Sequence, residues 1–121
     1  RDRAQNETSH TLQVDVDQIL PRHVQLGENF PNPFNPETTI PFLVPPLALA
    51  PGGSTVRLVI YNTVGQQVRL LLDGNVQPGV HHVVWDGRNA EGLSVGSGTY
   101  FYRLTVTPSG DQQTRPMTLV K

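Results

Sequence analysis

The sequence contains no cysteine among its 121 residues, so neither a disulfide framework nor a thiolate metal site is possible. No apolar run approaches the roughly 20 residues of a membrane-spanning helix, and no signal-peptide pattern opens the chain. Nine basic residues against ten acidic ones give a net charge of -1 without any like-charge run. We therefore expect no membrane insertion and no nucleic-acid binding through a basic patch.

What the chain does contain is eleven glycines and eleven prolines with few helix-favouring runs, which predicts an all-β domain with many turns. Its length fits one domain. Residues 1–23 are interpreted as a linker or the tail of a preceding domain, with weak alternation at 10–16 that indicates an edge strand. Residues 24–121 form the domain itself. Because the chain starts at Arg1 rather than Met, we expect it to be a piece of a longer protein.

Residues 30–36, Phe-Pro-Asn-Pro-Phe-Asn-Pro, are the most unusual stretch and are called the opening segment below. Three prolines in seven residues exclude a helix or an inner strand. Asn32 and Asn35 are expected to bond the nearby backbone as Asx turns do. Phe30 and Phe34 are expected to anchor the segment to the core. The alternative is a proline-rich linker, in which phenylalanines are uncommon.

Alternating apolar residues after the opening segment predict a series of short strands separated by turns. The predicted strands are 38–44, 55–61, 66–72, 80–85, 99–107 and 114–120. Asp73-Gly74-Asn75 is predicted as a turn. Six or seven strands at roughly ten-residue spacing are the pattern of an antiparallel β-sandwich. The apolar segment at 45–54 either packs on the domain or forms an exposed contact surface.

The 80–85 strand places His81, Val83 and Trp85 on one face, and Trp85 is predicted to fill the core. The loop 86–92 follows it. Asp86 is expected to accept hydrogen bonds from the backbone of its own loop, where glycines supply permissive φ angles.

The sequence shows no pattern of catalytic, metal-binding or cofactor-binding residues. His81 and His82 point to opposite faces of their strand and cannot ligate one metal, and Asp15-x-Asp17 lacks the six or more oxygens that calcium takes. The carboxylates Asp73, Asp86 and Glu91 are all predicted to lie in turns. No arrangement of a nucleophile with a base and an orienting acid is evident.

Tyr61, Phe101 and an exposed tyrosine are the residues that would form an aromatic platform for sugars. Single aromatic residues on strand faces more often serve packing, so this remains the lesser interpretation.

Several motifs along the chain resemble those of a known family. The run 26–40 resembles the opening motif of type A C-terminal sorting domains of the type IX (Por) secretion system. Further blocks similar to that family follow in the same order, at 56–68, 79–89, 98–104 and 115–121. The motif residues carried over are Phe30, Asn32, Pro33, Phe34, Asn35, Pro36, Trp85, Asp86, Gly87, Gly92, Gly98, Tyr100 and Tyr102.

The resemblance implies an Ig-like or fibronectin III-like antiparallel β-sandwich of about seven strands at the C-terminus of a secreted protein. It also implies an upstream cargo domain, recognition by outer-membrane type IX secretion components, and a sortase-like processing protease as partners. The protein would pass the periplasm in transit to the cell surface or medium, and we expect a monomer. The block from Trp85 to Tyr100 alone also resembles the Ig-like domain of flagellar hook-capping proteins. Competing interpretations are a passive Ig-like spacer and a carbohydrate-binding module.

The resemblance also directs attention to the C-terminal strand. Pro116 stands where a second basic residue is common and indicates an edge strand, whose free backbone groups a receptor could pair with. The alternative is that Met117 and Leu119 simply fill the core, and both can hold. The hypothesised recognition residues are Arg115, Met117, Leu119, Val120 and Lys121.

Overall fold

A computed structural model describes residues 23–45 and 55–121 of the chain. The strand predicted at 10–16 and the apolar segment 46–54 lie outside the described residues. Residues 23–45 and 55–121 contain no helix that is long and apolar enough to cross a membrane.

Seven strands make up the described fold. They are β1 (Gln25–Leu26), β2 (Thr38–Val44), β3 (Thr55–Tyr61), β4 (Gln67–Asn75), β5 (Gly79–Trp85), β6 (Gly98–Thr107) and β7 (Gln112–Leu119).

The strands form two antiparallel sheets, one with the order β1-β2-β5 and one with the order β4-β3-β6-β7. In the first sheet, β2 pairs with β5 along its whole length, from Thr38 opposite Trp85 to Val44 opposite Gly79. In the second, β6 is central and pairs with both β3 and β7. The predicted Ig-like β-sandwich is therefore confirmed.

The core lies between the two sheets and is built from the apolar positions of the alternating strands. On β3, Val56, Leu58 and Ile60 are fully buried, as their shared face predicts. Trp85 is also fully buried, and its indole N–H donates to the carbonyl of Arg88 at 2.9 Å. Each large apolar side chain buried in this way contributes roughly 1.5–3 kcal/mol through removal from water.

One predicted turn is wrong. Asp73-Gly74-Asn75 continues β4 instead of ending it, because β3 runs on to Thr55 and offers the backbone a full set of partners. Asp73 lies opposite Arg57, with 3.7 Å between its Oδ2 and the Arg57 Nε. Cross-strand pairing thus outweighs the local turn preference of this tripeptide. The other strand ends fall within two residues of their predicted positions.

Candidate functional site

Phe34 joins the opening segment to the last strand. Its backbone N–H donates to the carbonyl of Thr118 at 3.0 Å, and its carbonyl accepts from the N–H of Val120 at 2.9 Å, which forms a parallel bridge opposite Leu119. The side chain is 2% exposed and lies against Trp85, with 5.8 Å between the ring centroids. The prediction that Phe34 anchors this segment in the core is confirmed.

Asn32 strengthens the same junction in a way that the sequence did not indicate. Its side-chain Oδ1 accepts a hydrogen bond at 3.0 Å from the N–H of Thr118, 86 positions further along the chain. The predicted local Asx turn is therefore wrong for Asn32, because the last strand lies beside the segment and supplies an unpaired donor. The side chain of Asn35 is exposed, and no hydrogen bond joins it to any described residue.

Phe30 is not the second core anchor that the sequence predicted, since its side chain is 52% exposed. Its backbone exchanges two hydrogen bonds with Thr39, each 2.9 Å long. Directly paired residues share one face of a sheet, and Thr39 lies on the outer face of β2. Phe30 is therefore held outward, where its ring meets the edge of His82 at a centroid distance of 6.3 Å.

A buried polar cluster that sequence reasoning missed supports the start of the opening segment. Asn29 is 4% exposed, and its Nδ2 donates to Thr38 Oγ1 at 3.0 Å and to the carbonyl of Pro31 at 3.3 Å. The Tyr102 hydroxyl donates to the carbonyl of Gly27 at 2.7 Å and accepts from the N–H of Asn29 at 3.0 Å. Only the occurrence of Asn29 directly before Phe-Pro could have drawn attention to it.

Burial raises the pKa of the Tyr102 hydroxyl, while the hydrogen bond from Asn29 and the charge of Arg115 act in the opposite direction. Burial also raises the pKa of Tyr100, whose hydroxyl donates to the carbonyl of Gly96 at 2.7 Å. Both phenols are therefore held neutral as hydrogen-bond donors. They stabilise loops and strands and are not poised as acids.

Two side chains of β7 bond the backbone of residues 24–26. Arg115 Nε donates to the carbonyl of Leu26 at 2.9 Å. Gln113 Oε1 accepts from the N–H of Leu26 at 2.8 Å, and its Nε2 donates to the carbonyl of Val24. The two sheets are thus joined along this side of the sandwich by side-chain bonds to β1.

The hypothesised recognition residues fall into two groups. Met117 and Leu119 are 1% and 0% exposed and belong to the core. Val120 is 49% exposed, and Lys121 is exposed with its backbone N–H bonded to Ser97 Oγ at 3.0 Å. Arg115 is half-buried, so among the five hypothesised residues Val120 and Lys121 are the exposed ones.

β7 is an edge strand, as Pro116 indicates, but the expectation of a free edge at its end is wrong. Outward from β7, the N–H groups of Thr118 and Val120 and the carbonyl of Thr118 are all bonded to the opening segment. The end of β7 is therefore hydrogen-bonded to residues near the start of the domain. A receptor that paired with this part of the strand would first have to displace Asn32 and Phe34.

The Trp85-Asp86-Gly87 motif holds the opposite end of the opening segment. Gly87 has φ +76°, and a Cβ at this position would lie 2.9 Å from the carbonyl oxygen of Pro36. Only glycine fits both that backbone conformation and that contact. Asp86 Oδ1 accepts from the N–H of Arg88 at 3.1 Å, as predicted for its own loop.

The remaining motif residues lie in turns, against the core or on the surface. Gly92 and Gly98 have positive φ angles at the end of the loop and the start of β6. Tyr100 packs edge-on against Trp85 with 5.5 Å between ring centroids. Pro33 and Asn35 lie exposed on either side of the buried Phe34.

The described residues offer little for metal or acid–base chemistry. In these two ranges, no group of three or more His, Asp or Glu side chains converges to hold a metal ion. His81 is half-buried and bonded through Nε2 to the carbonyl of Gln77 at 2.7 Å, as predicted, and His82 lies on the opposite face.

The conceivable sugar platform consists of two neighbouring aromatic residues. Tyr61 lies opposite Phe101 on the outer face of the four-stranded sheet, and both are half-buried. The Arg103 guanidinium lies over the Tyr61 ring at 5.0 Å from its centroid and covers part of that surface. This arrangement favours packing within the sheet face.

Comparison with known proteins identifies relatives for part of the chain. A family model of the FlgD Ig-like domain matches residues 46–111. The basal-body rod modification protein FlgD of Salmonella typhimurium is 35% identical over 57 residues, which cover 47% of this chain and 25% of that protein. FlgD of Salmonella typhi matches to the same extent. The aligned part thus spans about a quarter of the length of these curated relatives.

Solved structures with similar folds include dimeric latent PorU from Porphyromonas gingivalis, with a TM-score of 0.60 and 25% identity over 80% of this chain and 9% of that one. PorZ, described as an essential bacterial surface component of the type IX secretion system of the same organism, has a TM-score of 0.47 and 24% identity over 78% of this chain and 11% of that one. FlgD from P. aeruginosa has a TM-score of 0.49 and 17% identity over 82% of this chain and 68% of that one.

Proposed function

The chain belongs to the FlgD Ig-like domain family, whose model matches residues 46–111 of 121, and from its resemblance to type IX sorting domains we propose that it is a non-catalytic C-terminal sorting domain. In this proposal it directs a larger protein through the type IX secretion system to the cell surface or the medium. Its partners are outer-membrane secretion components, a sortase-like processing protease and an upstream cargo domain in the same chain.

The observation that carries the proposal is the junction between the first and last motifs of the sequence resemblance. The opening segment and the terminal strand are bonded at Asn32, Phe34, Thr118 and Val120, so the motifs act as one folded unit. That unit holds the exposed side chains of Val120 and Lys121 beyond a buried Leu119. The likeness to PorU agrees with the Por resemblance that the motifs carry.

Recognition in this proposal acts through the exposed end and not through the whole strand. Because Met117 and Leu119 are in the core, their substitution would unfold the domain and give no information about recognition. Val120 and Lys121 can be changed without removing a core side chain. They are therefore the residues with which recognition and folding can be separated.

The test fuses a reporter protein to the N-terminus of the intact chain in a bacterium that has type IX secretion. We expect export of the fusion and a loss of about tenfold for the double variant Val120→Ser with Lys121→Ser, which corresponds to contacts worth about 1.4 kcal/mol. Val64→Ser, at a turn position that is 75% exposed, serves as the control. Unchanged export of a folded double variant would contradict recognition at this end.

A second candidate, a passive Ig-like spacer, is favoured by the match to the FlgD domain family and by the 35% identity to FlgD. In that case the intact, folded domain would fail to export its reporter under the same conditions. The fusion experiment therefore distinguishes the two functions before any residue is changed.

A further inference from the structure

The outer face of the three-stranded sheet is an ordered, largely apolar surface. Side chains at paired positions of neighbouring strands share one face, so its residues lie in three rows that cross the strands. The first row is Gln25, Leu43 and Val80, the middle row is Gly27, Pro41 and His82, and the last row is Phe30, Thr39 and Val84. Val80 is 65% exposed, and Val84 and Phe30 are each 52% exposed. Exposed apolar side chains therefore lie on both sides of His82.

The two outer faces of the sandwich differ in charge. None of the row positions on the three-stranded sheet is Asp, Glu, Lys or Arg. The outer face of the four-stranded sheet instead carries Arg57 opposite Asp73, and Arg103 over the Tyr61 ring. A face without charge offers nothing to a charged partner and does not repel a copy of itself. The three-stranded face thus fits an uncharged partner surface, and a second copy of the chain supplies one.

A depression and a protrusion lie on opposite sides of the middle row. The depression, about 270 Å³ in volume, is lined by residues that include Gly27, Pro41, Leu43 and Val80. A Cβ at Gly27 would lie 2.9 Å from Pro41 Cγ, so a side chain there would fill part of the depression. The protrusion is Phe30, whose ring reaches the edge of His82 at a centroid distance of 6.3 Å.

A two-fold axis along the middle row brings these two features together. The axis lies in the face and crosses the strands, so rotation by 180° turns the sheet over and exchanges the first row with the last. Phe30 of each copy then meets the depression of the other, and Val80 lies over Val84. His82 lies over its own equivalent. Each contact is made twice, as in a closed isologous interface.

We propose that this face is a symmetric interface through which two copies of the chain form a dimer. The monomer expected from the sequence is then the dissociated form. The face measures about 23 Å along β2 and about 14 Å across three strands, which covers about 650 Å² over both copies. Contacts of this size are weak and reversible, and we expect a dissociation constant on the order of 100 µM.

The test places charge at His82, because the two-fold axis sets this residue opposite itself. His82→Asp and His82→Lys each bring like charges together and should raise the dissociation constant at least about tenfold at low ionic strength. An equimolar mixture of the two variants brings opposite charges together. It should associate within about threefold of the wild-type affinity. Sedimentation equilibrium of the full chain at concentrations from about 10 µM to about 1 mM measures all of these.

Gln67 provides the matched control. It is exposed and lies opposite Tyr61 on the other sheet, so Gln67→Asp and Gln67→Lys should leave the dissociation constant unchanged. Phe30→Ala tests the protrusion itself. It should weaken association about tenfold while the unfolding transition of the domain changes little, since the ring is half exposed.

Three results would overturn the proposal. The first is a wild-type chain that stays monomeric up to about 1 mM. The second is a mixture of His82→Asp with His82→Lys that associates no better than either variant alone. The third is association that the Gln67 variants weaken and the His82 variants do not, which would assign the dimer to the four-stranded sheet.

Discussion

The two lateral sides of the sandwich are closed by different means. On one side, called the sealed side, residues 24–34 run along β7 and are tied to it by Gln113, Arg115 and the Phe34 bridge. On the other, called the open side, β5 and β4 are the edge strands among residues 23–45 and 55–121, and they carry partly exposed apolar side chains. The comparison shows that a side of a sandwich can be closed without a long strand pair, through side chains that bond backbone groups directly.

This difference has energetic consequences. Removing a group on the sealed side creates a cavity or leaves a buried donor or acceptor unsatisfied, and both are costly. Side chains on the open side are already partly in water and lose less when shortened. Substitutions at Phe34, Tyr102 and Asn32 test the sealed side, in decreasing order of the expected loss of stability.

Phe34→Ala should have the largest effect. The side chain is buried against Trp85, so truncation should lower the free energy of unfolding by about 3–5 kcal/mol. Denaturant unfolding followed by Trp85 fluorescence measures this change. Phe30→Ala removes the same group at a position 52% exposed and should cost under about 1 kcal/mol. Similar losses for the two variants would mean that the sealed side does not depend on Phe34.

Tyr102→Phe should lower the free energy of unfolding by about 1–3 kcal/mol, because the Gly27 carbonyl and the Asn29 N–H lose a buried partner. Tyr61→Phe is the matched control, since no hydrogen bond joins the Tyr61 hydroxyl to any described residue. Thermal unfolding of both variants at neutral pH gives the comparison. Equal stability of the two variants would contradict the role assigned to the Tyr102 hydroxyl.

The same hydroxyl predicts a dependence on pH. Burial raises the pKa of Tyr102 in the folded state above the value of about 10 in the unfolded chain. Its contribution is therefore fully present below about pH 10 and is lost as the pH rises through the folded pKa. Tyr102→Phe should weaken the decline of stability in that alkaline range, measured by denaturant unfolding between neutral pH and alkaline pH.

Asn32→Ala should have the smallest effect of the three, about 1 kcal/mol, because it removes one exposed hydrogen bond to the N–H of Thr118. Asn35→Ala is the control at a neighbouring asparagine without such a bond. Chemical unfolding measures both, and faster amide exchange at Thr118 in Asn32→Ala alone would locate the effect. An equal response of the two variants would show that the segment is held by Phe34 only.

Much of the fold was predictable from patterns of residues. The alternation in β3 and β6 predicts the buried face of each strand, and Trp85 is in the core as expected, but Val59 on the other face of β3 is also buried. Those predictions succeeded because side-chain alternation is a local property of a strand. The turn at Asp73 failed because its backbone is paired with β3, which a local pattern does not record.

The sequence predicts which residues belong to the candidate site but not which of them are in contact. The sequence indicated that the opening segment and the terminal strand matter, yet it did not indicate that they touch. Phe30 and Phe34 are equivalent as residues, and only pairing with Thr39 turns one outward while pairing beside Leu119 turns the other inward. The Asn29 cluster was missed for the same reason, since its partners lie 9 and 73 positions away.

The sequence by itself therefore determined the fold class, the strand faces and the stiffness of the opening segment, because these depend on neighbouring residues and their conformational limits. The tertiary structure alone decided that Asn32 and Phe34 cover the edge of Thr118 and Val120. That contact depends on how the two ends of the domain meet in space. Backbone hydrogen bonds between residues so distant in the chain leave no periodic pattern along it.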